Sequence, residues 1–198
     1  MRGIRKRAMA LPAAAAGALA LVMAGGGAAH AATFSSGTVS LTVSDAWVAQ
    51  LAKAGVALVP QNYSTLTFDN TAKTVTITFA ATGGDANLGN GAGSLSLSGG
   101  ILGFSLHGKT VSLGSLLFDL SNAQFDGATS TSGEVPLVDL AGSVDGTITP
   151  AADGTTQFIE SSNLDLDAAG AALLDSALGT HAFTAGQNIG AFSSTWTD

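Results

Sequence analysis

Cysteine is absent, proline occurs only four times, and 11% of the 198 residues are charged. Without cysteine there is no disulfide-stapled scaffold, no thiolate metal site and no lipid anchor on a cleaved N-terminus. A charged fraction under half the usual value of roughly 25% excludes extended ion-pair networks as the source of stability. Basic residues are scarcer still. Arg2, Arg5, Lys6 and Arg7 lie in the first seven positions, which leaves only Lys53, Lys73 and Lys109 against 14 acidic residues from Asp45 onward. That acidic balance repels phosphate backbones and anionic headgroups, so nucleic-acid binding and polybasic membrane docking are disfavoured.

The chain opens with the features of an export signal. The basic cluster precedes an apolar stretch from Ala8 to Ala24, then Gly25-Gly26-Gly27 and the small-residue ending Ala29-His30-Ala31. This order reads as a secretory signal peptide over residues 1–31 with an A-x-A cleavage site. The cut leaves a domain over residues 32–198, with no transmembrane anchor expected after cleavage and a secreted or cell-wall-associated destination.

From about Thr38 to Thr197 the dominant pattern is a period of two. Val39/Leu41/Val43, Val75/Ile77/Phe79, Leu95/Leu97, Leu102/Phe104/Leu106, Val111/Leu113, Leu116/Phe118/Leu120, Val135/Leu137 and Leu164/Leu166 alternate mainly with Ser and Thr. Such alternation marks half-buried strands. Gly83-Gly84-Asp85, Gly89-Asn90-Gly91, His107-Gly108, Asp126-Gly127, Asp145-Gly146 and Asp153-Gly154 read as turns, and Gly83 to Gly93 as a polar connecting loop. Two segments have helical spacing. Ser44 or Asp45 caps Trp47, Val48, Leu51 and Ala54 before Gly55, and Asp167 caps Ala169, Leu173, Leu174, Ala177 and Leu178 before Gly179. The expected fold is mainly β: a single antiparallel β-sandwich-like domain whose two short helices close its open ends.

Motifs for catalysis are missing. There is no G-x-S-x-G elbow, no HExxH, and beyond the leader only His107 and His181, so neither a catalytic nor a metal site is expected. Asp126, Asp145 and Asp153 read as turn residues, and the Asp85 to Asn90 stretch lacks the Glu that completes an EF-hand. Two side chains stand out as candidate ligand groups. Tyr63, the only tyrosine, sits in Pro60-Gln-Asn-Tyr63-Ser; a phenolate can ligate ferric haem iron, the alternative being a packing residue at a rim. His107 has the outward parity of a strand facing the core with Leu102, Phe104 and Leu106, at the start of a turn. Trp47 and Trp196 read as packing residues.

The order of elements resembles the HtaA-type domain of secreted and surface proteins of actinobacteria, some of which take part in haem uptake. The resemblance rests on Leu41 to Leu51 followed by Gly55-Val56 and Pro60, on Ser98-Gly99-Gly100-Ile101 leading into a strand, and on Val111-x-Leu113 to Phe118-Asp119. It continues with Leu164-Asp-Leu166 before an alanine-rich helix and Phe183-x-x-Gly186. It implies a β-rich fold with few helices and, in the haem-binding members, a Tyr iron ligand supported by a His. Tyr63 and His107 are the residues here that correspond in type. The expected function is that of a non-enzymatic secreted or cell-envelope binding module with haem or an envelope component as partner. The alternative is a structural or adhesive envelope protein that contacts glycan or protein partners without a cofactor.

Overall fold

The computed structural model describes residues 34, 36–60, 64–97, 102–151 and 154–197, which form one β-rich domain with two helices. The leader expected over residues 1–31 lies outside the described residues. In chain order the elements are β1 (Ser36–Val43), α1 (Asp45–Lys53), β2 (Ala57–Pro60), β3 (Ser64–Asp69), β4 (Thr74–Gly84), β5 (Ser94–Leu97) and β6 (Leu102–Leu106). There follow β7 (Lys109–Asp119), β8 (Gln124–Ala128), β9 (Val135–Ala151), β10 (Gly154–Leu166), α2 (Ala168–Leu178) and β11 (Asn188–Thr197).

The strands run in the order β7-β5-β4-β1-β11-β10-β9-β8, and an antiparallel pairing of β7 with β8 closes the ring. The result is an eight-stranded barrel, which corrects the expected sandwich. Both architectures bury one face of every strand, so alternation alone does not distinguish them. Closure depends on β8, where Phe125, Asp126 and Gly127 are buried in succession and no alternation marks the strand. Asp126-Gly127 and Asp145-Gly146, expected as turns, lie inside β8 and β9. Gly127 serves packing, since a Cβ there would stand 2.7 Å from Leu137 Cδ1 and 2.8 Å from Leu116 Cδ2, whereas one on Gly146 would make an ordinary contact at 3.5 Å from Leu88.

The interior is a continuous apolar cluster. It contains Val39 and Leu41 of β1, Ile77 and Phe79 of β4, Phe118 of β7, Ile159 of β10 and Phe192 of β11. Phe118 and Phe192 meet at 4.6 Å between ring centroids, and Phe79 and Phe125 at 5.8 Å. Two strands change phase midway. In β7 the inward residues Val111 and Leu113 are followed by Leu116 and Phe118, and the register against β8 slips between Gly114 and Leu117. Ser115, at φ 50°, absorbs the odd residue. In β10 the inward set passes from Ile159 and Ser161 to Leu164 across a second irregularity. There Ser161 Oγ donates to the Ala141 or Asn163 carbonyl, at 2.6 and 2.7 Å.

β7 also belongs to a second, smaller sheet. Its first half pairs with β6, and β6 with β2, so that a three-stranded flap β2-β6-β7 stands out from the wall. Both helices follow strands that end on the flap side of the barrel, because β1 and β10 both pair antiparallel to β11 and so run parallel to each other. Ser44 Oγ caps α1 by accepting the Trp47 N–H, Asp167 Oδ1 caps α2 by accepting the Ala169 N–H, and α2 ends on Gly179 at φ 71°. Trp47, Phe104 of the flap and Phe183 pack in a triangle with centroids 5.9–6.5 Å apart. One end of the barrel is thereby closed by α1, α2 and the flap together, rather than each end by one helix.

The opposite end is closed by the β4–β5 connection, which the sequence presents as a polar loop. Ala86 and Leu88 are buried. The Trp196 indole N–H donates to the Ala86 carbonyl at 3.0 Å, and the Leu88 N–H donates to Gln157 Oε1 at 2.6 Å. Gln157 is 2% exposed. Gln157→Leu keeps the volume but leaves the buried Leu88 N–H unpaired, so the folded state should lose about 1–3 kcal/mol. The check is a lower denaturant midpoint at an unchanged slope.

Candidate functional site

The wall of the barrel is split on the flap side. β5 pairs only with Ala81–Gly84 of β4, while the first half of β4 pairs instead with β3. β3 and β2 are consecutive strands, but no ladder joins them, so two strand edges without a partner among the described residues flank a seam. The seam opens toward the helical end.

Side-chain direction along β3 makes this seam chemically distinct. Thr65 and Thr67 pair with Thr78 and Thr76 and face outward with them, whereas Leu66 and Phe68 pair with Ile77 and Val75, whose side chains are buried in the core. Residues directly opposite in an antiparallel ladder point to the same face. Phe68 therefore has inward parity, yet it is 68% exposed. Leu66 beside it and Leu58 on the facing edge are half-buried. Leu58 also lines, with Trp47, Ile77 and Phe104, an apolar cavity of about 40 Å³ between the flap and the barrel interior. The seam thus leaves Phe68 as core-facing apolar surface without cover, with Leu66 and Leu58 partly covered beside it.

His107 lies in the turn that joins β6 to β7, exposed, at φ 49° and followed by Gly108 at φ 81°. Its expected outward position agrees with this placement. A Cβ on Gly55 would stand 4.0 Å from His107 Nε2, which sets the imidazole beside the C-terminal end of α1. Tyr63 lies outside the described residues. Its chain neighbours are placed: β2 ends at Pro60 opposite Leu102, five residues and about 17 Å of strand from His107, and β3 begins at Ser64. Tyr63 thus belongs to the connection between the two edges of the seam, and His107 to the far corner of the flap that forms one of them. Phe68, Leu66 and Leu58 were not singled out in the sequence. The alternation Leu66/Phe68 is legible there, but their lack of cover depends on where β5 ends.

Among the described residues no three His, Asp or Glu side chains converge as metal ligands. The acidic and amide side chains of the β4–β5 loop are occupied by its own turns: Asp85 Oδ1 accepts the Ser94 N–H, Asn87 Oδ1 the Gly89 N–H and Asn90 Oδ1 the Ala92 N–H. Trp47 and Trp196 are buried packing residues, as expected.

Asp126 is the one ionisable group with a displaced acidity that bears on the wall. It sits between the inward Phe125 and Gly127, and so faces outward, flanked by its ladder partners Leu117 and Pro136. It is only 8% exposed, and Oδ1 accepts no hydrogen bond. Desolvation first, and then the negative field of Glu134, Asp119, Asp139 and Asp167, push its pKa up from 3.8 to about 6.

No family model matches the chain, and no curated protein is similar to it.

Because the folded state holds the Asp126 proton more tightly than the unfolded chain, this group favours folding below its unfolded pKa of 3.8. That contribution is lost as pH rises through about 6. Asp126→Asn should therefore raise stability at pH 8 by about 1–2 kcal/mol, a value discounted for solvent screening near the wall surface, and have little effect at pH 4. Thermal midpoints of both proteins across that pH range provide the measurement.

Proposed function

We propose that the chain is an exported, non-enzymatic binding module of HtaA type whose ligand is haem, held in the seam between β2 and β3. The observation that carries this reading is Phe68, an inward-facing aromatic left 68% exposed at the edge of an open seam. Tyr63 would supply the iron-ligating phenolate, and His107, at the far corner of the flap, is the residue that corresponds in type to the supporting imidazole, as the resemblance implies. The macrocycle would lie against Phe68, Leu66 and Leu58. A barrel interior with a cavity of about 40 Å³ is an order of magnitude below the roughly 300–1,000 Å³ of ordinary ligand pockets, so the ligand belongs on the outside of the core. Uncovered apolar surface at the edge of the flap suits a flat, largely apolar ring.

The sequence of the leader supports the exported part of this reading. The basic and apolar leader ends in Ala29-His30-Ala31, and a domain without cysteine stabilised by a closed apolar core needs no redox compartment of its own. Two measurements test the proposal. Protein recovered from the medium should begin at Ala32 by N-terminal sequencing. A hemin titration of that protein should give a saturable Soret change that Tyr63→Ala abolishes and His107→Ala weakens. Phe68→Ser should lower affinity by about ten- to a hundredfold, the worth of one buried aromatic, with an unchanged thermal midpoint. A flat titration, or a Soret change indifferent to both Tyr63→Ala and Phe68→Ser, refutes the assignment.

A further inference from the structure

The flap has a second free edge. β8 ends at Ala128 opposite Gly114, so on that side the first half of β7, Lys109–Leu113, has no ladder partner among the described residues. α2 packs against β7 and β9 across the space that a longer β8 would have filled. Between the edge of β7, the connection from β8 to β9 and α2 lies a groove of about 620 Å³. Its volume is within the range of ligand-binding clefts.

The chemistry of the lining is uniform. Thr110, Ser112, Ser115, Ser130 and Ser176 contribute hydroxyls, Leu173 contributes apolar surface, and no charged side chain lines the groove. None of these five hydroxyls has a hydrogen-bond partner among the described residues. Thr129 and Thr131 also line the groove, and the Thr129 hydroxyl donates to Ser132 Oγ at 2.9 Å, which fixes the connection in shape. Ser115 is held in the left-handed region at φ 50°, at the point where β7 leaves the flap for the barrel.

We infer that this groove binds a segment of an uncharged glycan. Each hydroxyl both donates and accepts, as does each sugar hydroxyl, so the two surfaces can satisfy one another without fixed polarity. An ionic ligand would be desolvated there with no counter-charge to compensate. Short Ser and Thr side chains lose little rotamer entropy on contact, and Leu173 offers a flat apolar patch to the C–H face of a sugar ring. An extended peptide would engage the backbone edge of β7 but leave the hydroxyls of the far wall, Ser130 and Ser176, without partners. The inference is independent of haem binding, since the seam lies along the opposite edge of the flap.

The test is a titration of isotope-labelled protein with chitotetraose and with cellotetraose, both uncharged, followed by amide chemical shifts. Saturable shifts are expected at Thr110, Ser112, Ser115, Ser130 and Ser176 in the millimolar range, with an affinity unchanged by added salt. Ser176→Trp, which fills the groove from the exposed side of α2, should weaken binding at least about tenfold and leave the hemin titration unaltered. Ser115→Gly removes a hydroxyl while relieving the left-handed backbone, and should weaken binding in a chain that folds at least as well. Absence of groove shifts with both sugars up to their solubility limit overturns the inference. So does saturable binding at the β7 edge by an extended peptide with none by the sugars, which would assign the groove to a protein partner.

Discussion

One strand serving two sheets is the constraint on which the rest of the molecule depends. The second half of β7 is a stave of the barrel, held between β5 and β8, while its first half carries the flap. The two halves point their apolar side chains inward on opposite phases, and Ser115 reconciles them by taking a backbone conformation that few non-glycine residues adopt. The seam at β2 and β3 lies where β5 ends against β4, and the groove beneath α2 where β8 ends against β7 at the kink.

What the barrel needs at its ends follows from its size. Eight strands enclose just enough room for their own inward side chains, so the interior fills itself and the remaining task is to keep water from the ends. One end is sealed by apolar mass: Trp47, Phe104 and Phe183 from three different elements. The other is sealed by hydrogen bonds as well as by Ala86 and Leu88, since the backbone of a connecting loop carried into the core must find partners there. Trp196 and Gln157 supply them. This accounts for a buried glutamine in a lining that is mainly apolar.

Much of this was legible in the sequence, and the failures share a cause. Both helices are legible in the sequence because capping residues act on atoms within one turn of themselves: Asp167 and Gly179 bound α2 as expected, and of the two candidates Ser44 and Asp45 the structure makes Ser44 the cap of α1. Most inward strand residues were read correctly because alternation is also a local signal. The barrel closure, the polar loop turned plug, and the buried Asp126 all depend on contacts between residues distant in sequence. Gly127 and Gly146 show the same limit from the other side. An Asp-Gly pair is a turn signal when the glycine is there for its φ, but Gly127 is there because Leu116 and Leu137 approach too closely for a side chain, and Gly146 lies inside β9 with room for one. For the site, Tyr63 and His107 stood out by rarity, whereas Phe68 became visible only once the ladder with β4 showed it facing inward without cover.

Ser36 at the start of β1 lies directly opposite Thr197 at the end of β11, on the plugged end, away from both helices. Incoming and outgoing chain therefore leave the domain side by side, like the two leads of a single plug. Anything joined to either terminus, whether a tether to the envelope, a fused neighbour or a purification tag, would present the flap, with the seam and the groove along its two margins, toward the surroundings. Orientation of the exposed face is thus built into the pairing of the first strand with the last.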